Sequence, residues 1–462
     1  MEAVLAAARQ AGCVAAEVFV KDGRGRQVTL EPSSAGEPPC RLVSRTREAG
    51  AALRVVDRDG RAGFAWAGLG DPIAPADLVD AARRSPAPGR EPAPAPDGLA
   101  AAPDLAPADG LAAADAATAG VAPAMVRALE LDLVDPDCLR SGDDAVIERM
   151  QEGVAEVGRS GEAMVEIDRI VVAEASTRFH FATSGGMRES FERTLAMLSI
   201  ALVPAAPEAR AVVEERTSCR LADLDLAECA REAILRSLPE REAGEVVATG
   251  AAPSAETIEI VLEPRAAASL VAALAPSALS GGFPEIRRPS ALTLYDDAIV
   301  AGRPSSAPFD GAGRPTSRRI LVEGGRPTGR IEPGGAHFLR PSYRDLPASG
   351  PAALVVAPGV RVSGQMPEGA SGGGLSIRAA IIDIAPGAEW TVRVRRGDFW
   401  NDGKRLGPAD GLFWEGSPAR LIQAVSETGD DPRWYQCGPS ICTPSLTLRG
   451  LSTWRREARA GI

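Results

Sequence analysis

The sequence predicts an α+β fold in two domains: an N-terminal mixed domain with an antiparallel sheet, and a C-terminal domain that is mostly β. Three observations lead there. The first 84 or so residues read as helix, hairpin, hairpin, helix. The stretch from Ile258 to Gly282 reads as a strand running straight into a helix. The remainder is a series of short β-branched runs punctuated by Gly and Pro.

In chain order, residues 2–11 have helical periodicity and Gly12 ends them. Glu17-Val18-Phe19-Val20 begins a strand, Asp22-Gly23-Arg24-Gly25 reads as a turn, and Arg26 to Leu30 as the returning strand. Residues 50–66 give two strands joined at Asp59-Gly60, a pair suited to positive φ. Pro75 then opens a helix, since a first-turn residue needs no N–H partner. Residues 85–128 are rich in Ala, Pro, Gly and Asp and poor in large apolar side chains, and a linker-like segment is expected there. A helix over 143–158, strands over 163–173 and 178–183, a turn at Ser184-Gly185-Gly186 and a strand over 189–203 follow. We place the N-terminal domain at 1–206, a helical connector at 207–254 with its helix from Asp225 to Leu238, and the β-rich domain at 255–462.

In that last domain Ile258, Ile260 and Leu262 alternate as a strand requires, Pro264 fits a first helical turn, and Ala267, Leu270, Val271 and Leu274 recur at helical spacing up to Gly281-Gly282. Strands are expected near 291–295, 318–322, 353–357, 375–384, 391–395 and 446–448.

Composition narrows the function. The 462 residues carry a net charge of −11, which argues against a generic nucleic-acid or anionic-membrane surface, because phosphate neutralisation needs clustered positive charge. No basic leader or long apolar span is evident, and seven scattered cysteines do not resemble a secreted disulfide framework, so a cytoplasmic location with reduced thiols is expected. Individual residues offer little chemistry. His180 sits in a strand pattern, His337 in a Gly-rich loop where a structural contact is expected, and Ser184 lacks the frame of a nucleophile turn. Gly372-Gly373-Gly374 has no Lys or helix to make a phosphate cradle, and the acidic pairs Asp296-Asp297 and Asp430-Asp431 are expected to be solvated turns.

The order of the segments AEVFV, EAGAALRVVDRDGRAGFAWA, FATSGGMRESFERT, IEIVLEPRAAASLVAALAPSALSGG, LTLYDDAIVAGRPSSAPFDGAGRPTSRRILVEGGR and CGPSICTPSLTLRGLS resembles the TldD/PmbA (TldD/TldE) family over nearly the whole chain. Asp296-Asp297 and Asp310-Gly311-Gly313 resemble its DD and DxxG segments. The resemblance implies a two-domain fold and a peptidase assembly in which the TldD-like branch carries an HExxxH helix binding zinc: two imidazoles hold the ion while the Glu polarises its water. Here the corresponding helix head is Glu263, Pro264 and Arg265, with Ser269 one turn on, and neither of the two histidines is in it. The resemblance therefore implies the PmbA/TldE-like branch: no metal and no catalytic residue in this chain, zinc in a TldD-like partner bearing HExxxH, and an unfolded peptide or peptide-like biosynthetic intermediate as substrate, with a homodimer as an alternative when alone. Cys437 lies where the zinc branch carries a metal-associated cysteine. Two other readings stay open, a stand-alone hydrolase using Glu263, His337 or Cys437 at a non-zinc site, and a regulatory binding protein.

Overall fold

A computed structural model describes residues 1–31, 39–71, 73–85, 130–159, 165–204, 211–238, 259–280, 290–328, 337–359, 375–385, 389–401, 404–451 and 455–456. The linker-like segment 85–128, except its first residue, and Gly372–Gly374 and Gly281-Gly282 lie outside these residues.

The N-terminal sheet has six antiparallel strands: β1 (Ala15–Glu31), β2 (Cys40–Val56), β3 (Ala62–Gly68), β4 (Val165–Thr183), β5 (Arg188–Pro204) and β6 (Val212–Ser218), in the order β3-β2-β1-β4-β5-β6. The expected first hairpin is instead one continuous central strand. Gly23 and Gly25, read as turn residues, are in β1 because neighbouring chains come close. A Cβ on Gly23 would lie 2.9 Å from Thr177 Oγ1, and one on Gly25 3.2 Å from the Glu174 carbonyl. Strand β4 likewise joins two runs expected to be separate, whereas the Asp59-Gly60 hairpin is present with Gly60 at φ +76°.

Four helices cover one face of this sheet. Helices α1 (Glu2–Gln10) and α2 (Pro75–Arg84) bury Leu5, Leu78 and Val79 against Val18, Leu53 and Val55. Helices α3 (Asp143–Arg159) and α4 (Leu226–Ser237) bury Ile147, Met150, Leu226 and Ile234 against Val28, Ile170, Leu198 and Ile200. Even-numbered β1 and β4 residues supply this face, as a period of two requires. The segment expected as a connector thus divides: β6 and α4 are built into the N-terminal layer, and 239–258 lie outside the described residues.

The C-terminal domain places helix α5 (Pro264–Ser280) between two sheets. The first contains β7 (Glu259–Leu262), and the second begins with β8 (Leu294–Asp297), β9 (Arg318–Glu323) and β10 (Arg326–Pro327). A small pair, β11 (His337–Leu339) and β12 (Ala348–Gly350), precedes β13 (Ala353–Val356). Then come β14 (Leu375–Ala385), β15 (Trp390–Asn401), β16 (Lys404–Pro408), β17 (Leu412–Gly416), helix α6 (Pro418–Ala424), β18 (Val425–Thr428), β19 (Arg433–Gln436), β20 (Ser440–Thr443), β21 (Leu446–Leu448) and β22 (Arg455–Arg456). One sheet runs β18-β21-β7-β14-β15-β17-β22 with β16 on β15; the other runs β10-β9-β8-β13-β20-β19. Helix α5 touches β7 and β14 on one side and β19 and β20 on the other. That explains its composition. The faces packed on the two sheets must be apolar, and Ala266, Ala267, Ala268, Leu270, Val271 and Leu274 are all buried, with alanines allowing close approach of the sheets, while Arg265, Ser269, Ala272 and Ala273 form a partly exposed stripe.

The domains meet on the other face of the N-terminal sheet, where Phe19, Phe179, Phe181 and Phe191 enclose Phe309 and Tyr343 from the C-terminal domain. Phe179 stacks on Phe191 at 4.8 Å between ring centroids, and Phe309 meets Phe191 edge-on at 4.9 Å. Among the described residues no helix is long and apolar enough to cross a membrane.

Candidate functional site

Among the described residues of its partly exposed stripe, α5 carries polar side chains only at and just after its head, Arg265 and Ser269. Pro264 occupies the first helical position, and Glu263, the preceding residue, donates its N–H to Ala379 O and accepts Ala267 N–H. The Glu263 carboxylate is held by Arg378 Nε at 2.5 Å. It is an ion pair across the sheet and is not aimed at a reacting atom.

Arg265 is the centre of the cluster. Its Nη1 donates to Cys437 Sγ at 2.9 Å, its Nη2 lies 3.3 Å from Glu214 Oε2, and its guanidinium stands 5.3 Å from the Tyr435 ring centroid. Three elements converge: α5 supplies Arg265, β6 supplies Glu214 and Arg216, and the β19–β20 turn, with Gly438 at φ +84°, supplies Cys437. Glu214 is also bound by Arg216 and by Arg236 Nη1 at 2.6 Å. Arg216 continues to Glu232 at 2.8 Å, and Glu232 accepts the Tyr435 hydroxyl at 3.3 Å. Burial acts against the Glu214 carboxylate, but the guanidiniums of Arg265, Arg216 and Arg236 together outweigh it and hold it below the ordinary carboxylate range. Burial pushes Glu232 and the Tyr435 hydroxyl the other way. Ser269 Oγ reaches back to Arg265 O at 3.5 Å, and with Arg265, Arg236 and Cys437 it borders a cleft of about 450 Å³ between the domains.

These donors do not fit a zinc ion. A thiol, a hydroxyl and a carboxylate already engaged by three arginines are not a tetrahedral N/S set, and Arg265 adds a fixed positive charge beside the sulfur. Among the described residues no group of three or more His, Cys, Asp or Glu side chains is gathered for a metal.

The acidic pair Asp296-Asp297 departs from expectation, and His337 makes its contact with it. His337 begins β11, is 1% exposed, and its Nδ1 lies 2.8 Å from Asp296 Oδ2. Asp296 and Asp297 are fully buried: Asp296 also accepts Ala352 N–H at 2.9 Å, and Asp297 accepts Ile299 N–H and pairs with Arg318 at 2.6 Å. They are enclosed because each carboxylate has its donors built around it. Asp310 accepts the N–H groups of Ala312, Arg314 and Phe338, which makes the Asp310–Gly313 turn, and Gly313 lies at φ +77°. Asp431 caps Ser445. Ser184 accepts Ala16 N–H in its turn, and His180 is a half-buried residue of β4 whose imidazole burial, then Arg178, hold below its ordinary pKa.

Arg265 and Ser269 of the helix head and Cys437 are therefore brought together, whereas Glu263 pairs with Arg378 and His337 belongs to a separate cluster. The sequence reading missed Glu214, Arg216, Glu232, Arg236 and Tyr435. They come from three separate elements, β6, α4 and β19, and a single sequence does not say which remote side chain answers which.

Residues 255–454 match the family described as the PmbA/TldA metallopeptidase C-terminal domain. The C-terminal domain belongs to the PmbA/TldD family. The whole chain shares its fold with solved structures: TldE from Thermococcus kodakarensis (TM-score 0.68, 16% identity, covering 98% of this chain and 99% of that one) and a suggested modulator of DNA gyrase from Bacteroides thetaiotaomicron (TM-score 0.65, 17% identity, 97% and 96%). A third, a suggested modulator of a DNA gyrase from Thermotoga maritima, has TM-score 0.64 and 13% identity, with 98% of each chain covered. A search of curated protein sequences finds no match. In the PmbA/TldD-type domain of this chain, the arginine cluster stands at the head of the buried helix.

Proposed function

We propose that this chain is the non-catalytic, PmbA/TldE-like subunit of a peptide-processing complex, in which a TldD-like partner bearing HExxxH holds the zinc and cleaves the bond. The observation that carries this reading is the Arg265 guanidinium at the head of α5, hydrogen-bonded to Cys437 and paired with Glu214. A cation fixed there satisfies the thiol and the carboxylate as a metal would, but it polarises no water. The shared fold with TldE supports the same branch.

In this role Ser269, Arg265 and Gln436 line the cleft of about 450 Å³, and the chain shapes one wall of the space that receives an unfolded peptide or a peptide-like biosynthetic intermediate. The cytoplasm, where its free thiols stay reduced, is the compartment that fits.

The test is zinc content and peptidase activity of the purified chain, alone and mixed with the HExxxH-bearing homologue of the same organism. The expected result is a metal-free, inert chain and activity on an unstructured peptide only in the mixture. Stoichiometric zinc, or hydrolysis by the chain alone, overturns the reading. In the latter case the Asp296–His337 pair, whose Nε2 is buried without a hydrogen-bond partner, is the first place to look.

A further inference from the structure

Strand β14 outruns its neighbour β7. The two pair in parallel only from Glu259 with Ser376 to Leu262 with Ala379, and Glu263 N–H reaches Ala379 O at 2.9 Å before Pro264 turns the chain into α5. On its other side β14 keeps β15 to the end, through Ile382 with Val394, Asp383 with Arg393, Ile384 with Val392 and Ala385 with Thr391. Over residues 381–385, therefore, β14 is paired on one side, and among the described residues no strand lies on the other. At the usual rise of a strand this open edge is about 16 Å long.

Ile382, Asp383 and Ile384 of this stretch border the cleft of about 450 Å³ beside α5. The facing wall holds another edge strand, β6, but guanidiniums blunt that one: Val213 O accepts Arg236 Nη1 at 2.8 Å, and Thr217 O accepts Arg303 Nη1 at 3.4 Å. The β14 edge is left open where the bordering side chains are apolar. Between the walls, the partly exposed stripe of α5 presents Ala272 and Ala273 one turn beyond Ser269, with Ile382 and Ile384 to one side and Val213, 44% exposed, to the other. Asp383 alternates to the opposite face of β14 and pairs there with Arg395 at 3.5 Å. Two adjacent alanines leave a space that larger residues would occupy.

We propose that an extended peptide pairs with residues 381–385 of β14, in line with β7, and seats one aliphatic side chain on Ala272 and Ala273. The free N–H and C=O groups of an unpaired strand are matched by the backbone of another extended chain, whatever its sequence. Selectivity then comes from the seat. Side chains alternate along a strand, so every second residue of the peptide faces α5, and a charged one there would be desolvated against apolar walls. Ala272 and Ala273 are thus specificity-determining residues, which set the size of the side chain accepted. The inference rests on the subunit reading for the peptide's place as substrate and deepens it: this chain selects the peptide that its partner cleaves.

The experiment is fluorescence anisotropy of the full chain alone with a labelled peptide of glycine and serine carrying one central leucine, against the same peptide with glycine or aspartate in its place. The leucine peptide is expected to bind at least about tenfold more tightly than either, the effect of burying an aliphatic side chain. N-methylation of the peptide amides one at a time should weaken binding at every second position, because only alternate N–H groups of an added strand face β14. Ala273→Phe should bring leucine down to the level of glycine. Equal binding of the leucine and glycine peptides, no binding of either, N-methyl effects without alternation, or a leucine preference that persists in Ala273→Phe overturns the proposal. The N-methyl series uses the unsubstituted chain, so it decides the matter even where Ala273→Phe does not fold. Binding is read without zinc or cleavage, which separates the two failures. If the mixture with the HExxxH-bearing homologue cleaves peptide but this chain shows no selective binding, only the present inference falls; selective binding with an inert mixture counts against the subunit reading.

Discussion

His337 Nδ1 and Asp296 Oδ2 lie 2.8 Å apart in a fully buried pair that ties β11 to β8 across 41 positions of sequence. The second Asp296 oxygen accepts Ala352 N–H at 2.9 Å. One carboxylate therefore satisfies two buried donors on different segments. Asp296→Ala is expected to destabilise the chain by about 2–5 kcal/mol, since each orphaned buried group costs roughly 1–3 kcal/mol. Asp296→Asn, which keeps the shape and one acceptor, should cost less than half of that. Urea midpoints of the two variants check this, and equal losses would show that volume rather than hydrogen bonding matters at this position.

Gly313 tests how the domains lock together. At φ +77° its missing Cβ would fall 2.1 Å from Phe181 Cε1, so a side chain there meets both backbone strain and the aromatic face of the N-terminal sheet. Gly60 has φ +76° with nothing within 4 Å, which isolates the strain. Gly60→Ala is expected to cost about 1 kcal/mol, and Gly313→Ala about 2–4 kcal/mol. Denaturation midpoints decide it. Equal losses would mean that the interface gives way and that the contact with Phe181 is not a lock.

The thiols are sorted by burial. Burial pushes Cys219 and Cys229 up to about 12 and Cys442 up to about 11, whereas Cys40 is exposed. A thiolate-selective reagent at neutral pH should label Cys40 rapidly in the native chain and leave Cys219, Cys229 and Cys442 unlabelled until urea unfolds it. Peptide mapping after brief labelling reads the outcome directly, and early modification of Cys219 would contradict the closed packing around it.

Much of this fold could be read from local pattern. Strand β7 and helix α5 could, because β-branched alternation, a first-turn proline and an alanine-rich apolar run all act within a few residues of one another. The long strands β1 and β4 could not. Gly23, Gly25, Ser176 and Thr177 have turn chemistry, and only the neighbouring strands that crowd them show why they are extended. Burial of the acidic pair was hidden for the same reason, since His337 and Arg318 come from other strands. At the α5 head the absence of the histidines was plain. Its replacement was not: Cys437 is 172 positions from the arginine it meets, and Glu214 belongs to a different domain.

Glu214 gives the α5 head its pH dependence. Its side chain is 2% exposed, and although burial opposes the charge, Arg265, Arg216 and Arg236 hold its carboxyl below the ordinary value of 4.5. A group whose folded pKa is depressed adds stability that is complete above the unfolded pKa and is lost as pH falls through the folded one. The contribution should therefore be constant from neutral pH down to about 5 and be lost progressively below about 4.5, as pH falls through the depressed folded pKa. Glu214→Gln leaves the buried arginines short of a counter-charge, so at pH 7 it is expected to cost about 3–5 kcal/mol. Its urea midpoint should then fall less steeply in acid than that of the unsubstituted chain, and the two curves should converge once pH has fallen through the depressed folded pKa of Glu214. Parallel curves across that range would mean that Glu214 carries no charge in the folded protein. Arg265 would then have no anion to hold it beside Cys437.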